Sequence, residues 1–414
     1  MNSNLRLISV PESQYPDYRT DVIFQAYKWD PQVNDQNTIA KHILLVTRQT
    51  ARQLGQWAQQ LSRETMQMEE ALIHNLPLAK ELGLPSQILK TLPRLCGYKS
   101  GRNIRLMRFD FHPTETGWAI SEVNSDVPGG LAEASVWPQI AERYAKQFAG
   151  GENLCAGENT ASLLFEAFQA KIRKNGTAAF VHATSYSDDR QVMQFLGDYF
   201  KNRGLNSIYA APDHIKWANK KALCVIKGRE CEIDGIVRFF PLEWLVNLPK
   251  NSNWQGYYDS ETPSCNNPVS IFAQSKRLPL IWDSLGVEIP AWKKLLPQTS
   301  DPKSIPPQDS EWIYKPALGR VGEGISIKEA VTPKEFAQIQ KAARKYPKDW
   351  AAQRRFKSLP VPAQDGVNYH VCIGVFAVDG KNAGFYGRIS PYPRIDSNAI
   401  DIPILISEEG ETGD

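Results

Sequence analysis

The sequence predicts a mixed α/β (α+β) protein of more than one domain, and three patterns predict it. Apolar residues at three- and four-residue steps mark a long amphipathic helix near 54–72. Two strand-like runs joined by a Pro/Thr/Gly turn mark a β-hairpin at 104–123, and a strand–helix–strand succession after residue 175 marks a βαβ unit. With 414 residues, 42% hydrophobic, 22% charged, 27 Gly and 28 Pro, the chain has the make-up of an ordinary globular protein, which excludes disordered, collagenous and coiled-coil classes. Two or three domains are expected at this length.

Residues 1 to about 40 read as irregular. Leu54, Trp57, Ala58, Leu61, Met68 and Leu72 then share one helical face, a stripe that serves packing, and a shorter helix is expected at 86–92. The runs IRLMRFDF and WAISEV, separated by the turn-like HPTETG, form the hairpin. A helix at 162–174 stops at Asn175-Gly176. The strand TAAFVHA follows, then a helix bearing Val192, Phe195, Leu196 and Phe200 that stops at Gly204, then the strand SIYAA. This unit predicts a parallel-sheet lobe at about 155–250, and with no G-x-G-x-x-G opening its helix it implies no dinucleotide site. PQTSDPKSIPPQDS, at 297–310, reads as a connector and WIYKPAL as a strand. The remainder alternates glycine-rich turns with the strands GISIKEA, YHVCIGVFAV and AGFYGRIS before an acidic tail expected to be disordered.

Lys+Arg 48 against Asp+Glu 45 leaves a net charge of +3, too balanced for the basic field that binds nucleic acid without sequence preference. No apolar run reaches the roughly 20 residues that span a bilayer, and the polar start MNSNLRLISVPESQ lacks a signal layout. A cytoplasmic protein with neither nucleic-acid nor membrane partners is expected. The six cysteines, Cys96, Cys155, Cys224, Cys231, Cys265 and Cys372, include no C-x-x-C, so reduced thiols are expected.

Three groups of residues carry chemistry. Arg108 and Asp110, and Glu122 and Asn124, are each two apart on a strand-like run, so each pair shares a strand face. If the strands pair, an Arg, two carboxylates and an amide converge. Such oxygen ligands suit Mg²⁺, although spacing alone fits a solvated charged face as well. In WIYKPALGRVGEGISI, Lys315 ends a strand, and Gly319, Gly322 and Gly324 follow in one loop. Glycines admit backbone N–H groups to phosphate oxygens, and a plain hairpin turn is the competing reading. The pattern is not a Walker A loop. Lys276, Gln353 and Arg388 each say little alone; their order says more.

Together these residues resemble the ATP-grasp ligases of the glutathionylspermidine synthase type. Arg108-x-Asp110, an interval of eleven residues, then Glu122-x-Asn124 resembles that family's metal and phosphate signature, including the following Ser-Asp-x-Pro of SEVNSDVPGG. The resemblance runs from about residue 100 to 408. It implies an ATP-grasp fold with a Rossmann-like βαβ lobe and a mainly helical N-terminal segment. The implied division is a helical segment at 1–100, a catalytic region made of 101–150 with 270–408, a βαβ lobe at 151–269 and a disordered tail at 409–414.

The resemblance further implies ATP and two Mg²⁺ ions as cofactors. Asp110, Glu122 and Asn124 would hold metal. Arg108, Asp110, Lys276, Lys315, Gly319, Gly322, Gly324 and Gln353 would bind nucleotide, with Gln353 in the adenine-contacting segment. Arg108 and Arg388 would be catalytic, Arg388 stabilising the tetrahedral intermediate. The implied activity joins a carboxylate (an amino acid, peptide or glutathione-like acid) to an amine (an amino acid or polyamine) through an acyl phosphate. Alternatives are a nucleotide-binding protein without ligase turnover, and a peptide ligase of a secondary-metabolite pathway. Two departures carry expectations. The short stretch before Arg108 leaves no amidase domain, and Val127-Pro128-Gly129-Gly130, where the family often has Ser or Thr, disfavours glutathione as the acid.

Overall fold

The computed structural model describes residues 4–408 except 34, 35, 307, 308, 310, 320–331 and 397. Its centre is an antiparallel six-stranded sheet with the strand order Ile400–Ile402, Lys381–Ser390, Asn368–Val378, Leu106–Thr114, Gly117–Asn124, and with Pro360–Pro362 pairing to Asn368–Val378. Alternation along these strands separates two faces. Phe109, Phe111, Val371, Ile373, Val375, Phe385 and Ile389 point to one side and pack in one core with Leu54, Ala58, Leu61, Met68 and Leu72. Those five belong to the helix Arg48–His74, which Thr47 caps by accepting a hydrogen bond from the Thr50 N–H. The expected apolar stripe is therefore the helix face that covers the central sheet.

The hairpin appears as the strands Leu106–Thr114 and Gly117–Asn124, with a turn tighter than the expected HPTETG because Gly117 sits at φ +118 and reverses the chain early. The βαβ unit is Thr177–His182, the helix Ser187–Lys201 and Asn206–Ala210, parallel from Thr177↔Asn206 to Val181↔Ala210. Gly235–Phe239 and Ser264–Cys265 extend this sheet in parallel, and a separate antiparallel sheet of Lys216–Ala218, Lys221–Ile226 and Arg229–Glu232 stands beyond it.

Three expectations are corrected. The opening residues are not irregular: Leu5–Ser9 is a strand and Tyr15–Gln25 a helix. The strand is too short to display a period, and the helix buries only Tyr15, Tyr18 and Val22, so neither announces itself locally. The strand pairs with His42–Thr47 in a sheet completed by Ile404–Ser407 and Leu154–Ala156, elements drawn from three of the expected divisions. The helix expected at 162–174 is Thr160–Gln169, its last turns loosening before Gly176. The 297–310 connector holds the edge strand Thr299–Ser300 of a third sheet, paired to Trp350–Arg354, which in turn pairs with Trp312–Pro316. The helix Pro333–Lys345 covers this small sheet. The whole of the expected strand GISIKEA, with Gly322 and Gly324, and the tail 409–414 lie outside the described residues.

All six cysteines are free, with Cys224, Cys265 and Cys372 buried. Among the described residues no helix is long and apolar enough to cross a membrane.

Candidate active site

Antiparallel register decides which side chains share the second face of the central sheet. Arg108 lies opposite Asn124 and Phe376, Asp110 opposite Gly374, Gly374 opposite Tyr386, and Cys372 opposite Arg388. Directly opposed residues project to one side, so Arg108, Asp110, Asn124, Tyr386 and Arg388 stand on a single face. A register shift between Phe109 and Phe111 gives the Gly117–Asn124 strand an extra residue opposite Asp110, where Ser121 and Glu122 lie. Glu122 thereby keeps to the site face, while the Ser121 carbonyl is freed to accept a hydrogen bond from Lys315 Nζ at 2.9 Å.

Asp110 receives Arg108 through two hydrogen bonds, Nε to Oδ1 at 2.7 Å and Nη2 to Oδ2 at 2.9 Å. This fork geometry holds both planes. Asn124 Nδ2 bridges the carboxylates, 3.0 Å from Asp110 Oδ2 and 3.5 Å from Glu122 Oε1. Lys276 Nζ pairs with Glu122 Oε2 at 3.1 Å and donates to the Gly319 carbonyl at 2.6 Å. From the small sheet, Lys315 Nζ donates to Gln353 Oε1 at 2.7 Å, and Gln353 Nε2 donates to Thr299 Oγ1 at 3.3 Å. Seven of the residues singled out in the sequence, with Gly319, are thus joined by direct contacts or by one intervening carboxylate, amide or carbonyl.

Charge balance tunes these groups. Burial alone would raise the Glu122 carboxyl, but Lys276, Lys315 and Arg108 outweigh it and hold the group down at about 2. Burial pushes the Lys315 ammonium down to about 8; Glu122 opposes the shift and Lys276 adds to it. His112, on the same strand face as Asp110, is pushed down to about 4 by burial, and its Nε2 lies 3.1 Å from Ser121 Oγ. A neutral imidazole thus backs the bulge that receives Lys315.

Arg388 stands apart from this group, two strands away. Its Nη2 donates to the Asp396 carbonyl at 2.5 Å, and its Nε lies 3.6 Å from Asp401 Oδ1. Asp401 also accepts from Tyr386 Oη at 2.6 Å and pairs with Lys28 Nζ at 2.8 Å. The Tyr386 ring lies under the Arg108 guanidinium at 4.8 Å and thereby links the two arginines.

Sequence reasoning missed Tyr386, Asp401, Lys28 and Gly374. Gly374 leaves room for Arg108 to lie across the sheet, since a Cβ there would come 2.7 Å from Arg108 Cδ. The Gly in YHVCIGVFAV is a detectable signal, a glycine amid a strand run. Lys28 offers none, because apart from the nearby Asp30 its partners, Glu133 and Asp401, come from distant parts of the chain. The Ser-Asp of SEVNSDVPGG turns out to be a fastening. The Ser125 and Asp126 N–H groups donate to Gln274 Oε1, and Asp126 pairs with the buried Arg238.

An α+β chain whose central antiparallel sheet carries paired carboxylates and converging cations on one face, fed by a small sheet bearing a lysine, has the architecture of ATP-grasp synthetases. The chain belongs to the family described as glutathionylspermidine synthase preATP-grasp, which matches residues 10–403. A Haemophilus influenzae protein with the provisional name acid–amine ligase is 25% identical over 234 residues, covering 56% of this chain and 57% of that relative. The chain therefore aligns with little more than half of that relative's length. A glutathione synthetase-like effector from Globodera pallida, solved in apo form, shares the fold at a TM-score of 0.63 over 96% of this chain and 98% of that one, with 10% identity.

Proposed function

We propose that this protein is an ATP-dependent, ADP-forming carboxylate–amine ligase, and the observation that carries the reading is the convergence of Asp110, Glu122 and Asn124 with Arg108, Lys276 and Lys315 on one sheet face. The donor set fits a magnesium nucleotide. Two carboxylates and an amide oxygen are hard ligands, too few to close a cage, and among the described residues no group of three or more His, Cys, Asp or Glu offers one. Mg²⁺ favours this partial set, with phosphates and water completing the coordination. When bound, ATP supplies the phosphoryl group that activates the acid as an acyl phosphate, and the metal supplies positive charge between phosphates.

The chain's own groups do the rest. Lys276 and Lys315 present point charges from either side of Glu122, and Arg108 is held flat by Asp110 and Tyr386, ready for oxygens of a transferring group. Arg388 offers donors to the oxyanion that forms as an amine adds. Gln353, on the strand paired with that of Lys315, accepts a hydrogen bond from the Lys315 ammonium, and its segment would contact the base. The decisive experiment measures ADP release against a matrix of acids and amines, with the products read by mass. Release that requires both substrates supports ligation; ATP binding with no release in any pair leaves a nucleotide-binding protein instead.

Two expectations follow. Lys315 is protonated below its value of about 8 and loses charge above it. Phosphate raises that value in the complex, so ATP affinity should be level from pH 7 to 8 and then weaken by up to about tenfold per pH unit. Calorimetric titration at saturating Mg²⁺ checks this. Lys315→Met should bind about 10- to 100-fold more weakly with a flat profile.

The second expectation concerns the acid. The Gly129 carbonyl accepts from Arg108 Nη1 at 2.7 Å, so Val127-Pro128-Gly129-Gly130 lies beside the phosphate arginine and offers no side-chain hydrogen bond there. A polar group left unpaired in a closed site costs about 1–3 kcal/mol, roughly 5- to 150-fold. Glutathione should accordingly show a lower kcat/KM than a smaller or less polar acid across a common amine panel. Glutathione with spermidine emerging as the best pair would refute this.

A further inference from the structure

We propose that Arg277 is a positioning residue: it fixes the small sheet carrying Lys315 and Gln353 against the central sheet, and so sets nucleotide affinity without touching nucleotide. The proposal rests on the nucleotide reading above. Arg277 is 2% exposed, yet its charge is spent mainly on main-chain carbonyls. Nε donates to Glu81 at 2.6 Å, Nη1 to Pro347 at 2.5 Å and to Trp350 at 2.7 Å, and Nη2 to Asp301 Oδ2 at 3.1 Å. These acceptors come from three segments. Glu81 ends a turn beyond the long helix, Pro347 and Trp350 lead into the middle strand of the small sheet, and Asp301 follows its edge strand Thr299–Ser300.

The register makes the connection to the site direct. Trp350 is paired with Pro316, the residue after Lys315, so the carbonyl that Arg277 grips lies on the cross-strand neighbour of the lysine's strand end. The preceding residues fasten the other sides of the same junction. Gln274 Oε1 accepts from the N–H groups of Ser125 and Asp126 at the end of the catalytic hairpin. Ser275 Oγ donates to the Leu82 carbonyl at 2.6 Å, and Lys276 N donates to the Ala317 carbonyl at 2.8 Å. Four consecutive residues thus tie hairpin, helical segment and small sheet together around Lys276. A planar fork serving four acceptors at fixed angles is a task that a lysine ammonium cannot reproduce. A buried guanidinium is tolerated only when its donors are satisfied, so the sheet is held wherever those carbonyls must stand. Gly83 follows the Glu81 and Leu82 carbonyls held at this junction. It sits at φ +69, and a Cβ there would collide with the Lys348 carbonyl, in the stretch between the Pro347 and Trp350 carbonyls that Arg277 holds.

The test uses the full chain as Arg277→Lys, Arg277→Met and, independently, Gly83→Ala, with MgATP titration calorimetry and hydrogen exchange without nucleotide. All three variants should bind ATP about 10-fold or more weakly, with Lys giving no rescue. Exchange should quicken at 312–316 and 350–354 while 106–114 and 368–378 stay protected. Affinities within about twofold of wild type, or exchange raised evenly over the whole chain, would overturn the positioning role even if melting temperature falls. Should the Arg277 variants not fold, Gly83→Ala decides by the same two readouts. A wild type that binds no ATP sinks the nucleotide reading and this proposal with it, whereas a wild type that binds, with unaffected variants, sinks this proposal alone.

Discussion

Replacement of Asp110 by Asn, or of Glu122 by Gln, is expected to cut turnover in the proposed ligase reaction by at least about 10²-fold at saturating Mg²⁺ and to weaken Mn²⁺ binding measured by calorimetry in the presence of nucleotide. The structure determines which substitutions are informative. Asp110 holds the buried Arg108 through two hydrogen bonds, so Asp110→Ala strands a guanidinium, and breaking such a pair costs about 3–5 kcal/mol. Loss of activity in that variant would confuse unfolding with chemistry. Asn keeps the shape and one acceptor while removing the charge that a metal needs. Glu122→Gln leaves Lys276 its bond to the Gly319 carbonyl, so the lysine is not abandoned. Wild-type turnover in either variant would show that the carboxylates only balance the cations around them.

Arg388→Ala is expected to lower kcat by about 10²- to 10³-fold with ATP affinity nearly unchanged, since an interaction made only in the transition state appears in kcat. The position of Arg388 favours this split. It lies two strands from Asp110 and three from Glu122, in contact with none of the described groups assigned to nucleotide. The fold should tolerate the change, because Asp401 keeps Lys28 and Tyr386 as partners when the arginine is gone. Steady-state kinetics beside calorimetry decides the matter. A variant that no longer binds ATP would move Arg388 into the nucleotide site and leave the oxyanion without its donor.

The placement of the candidate site residues was legible where they stand at short intervals. A two-residue step on a strand places Arg108 with Asp110 and Glu122 with Asn124 whatever the rest of the chain does, because strand side chains alternate. What spacing could not supply was the bulge at Ser121 and Glu122. An extra residue in one strand is a property of the pairing, and it changes which carbonyl is free for Lys315. Arg277 illustrates the same limit. Beside Lys276 it reads as one more basic residue, and only the convergence of Glu81, Asp301, Pro347 and Trp350 makes it a buried anchor.

By itself the sequence determined the α+β class, the long helix with its apolar stripe, the hairpin, the βαβ unit and the identity of the cations and carboxylates, since each follows from periodicity or local spacing. Only the tertiary structure decided that Leu5–Ser9 and Ile404–Ser407 share a sheet through His42–Thr47, that Lys28 reaches Asp401, and that Tyr386 spans the gap between Arg108 and Arg388. Contacts of that kind join residues hundreds of positions apart. They are selected by the packing of whole elements, and no local pattern in the chain encodes them.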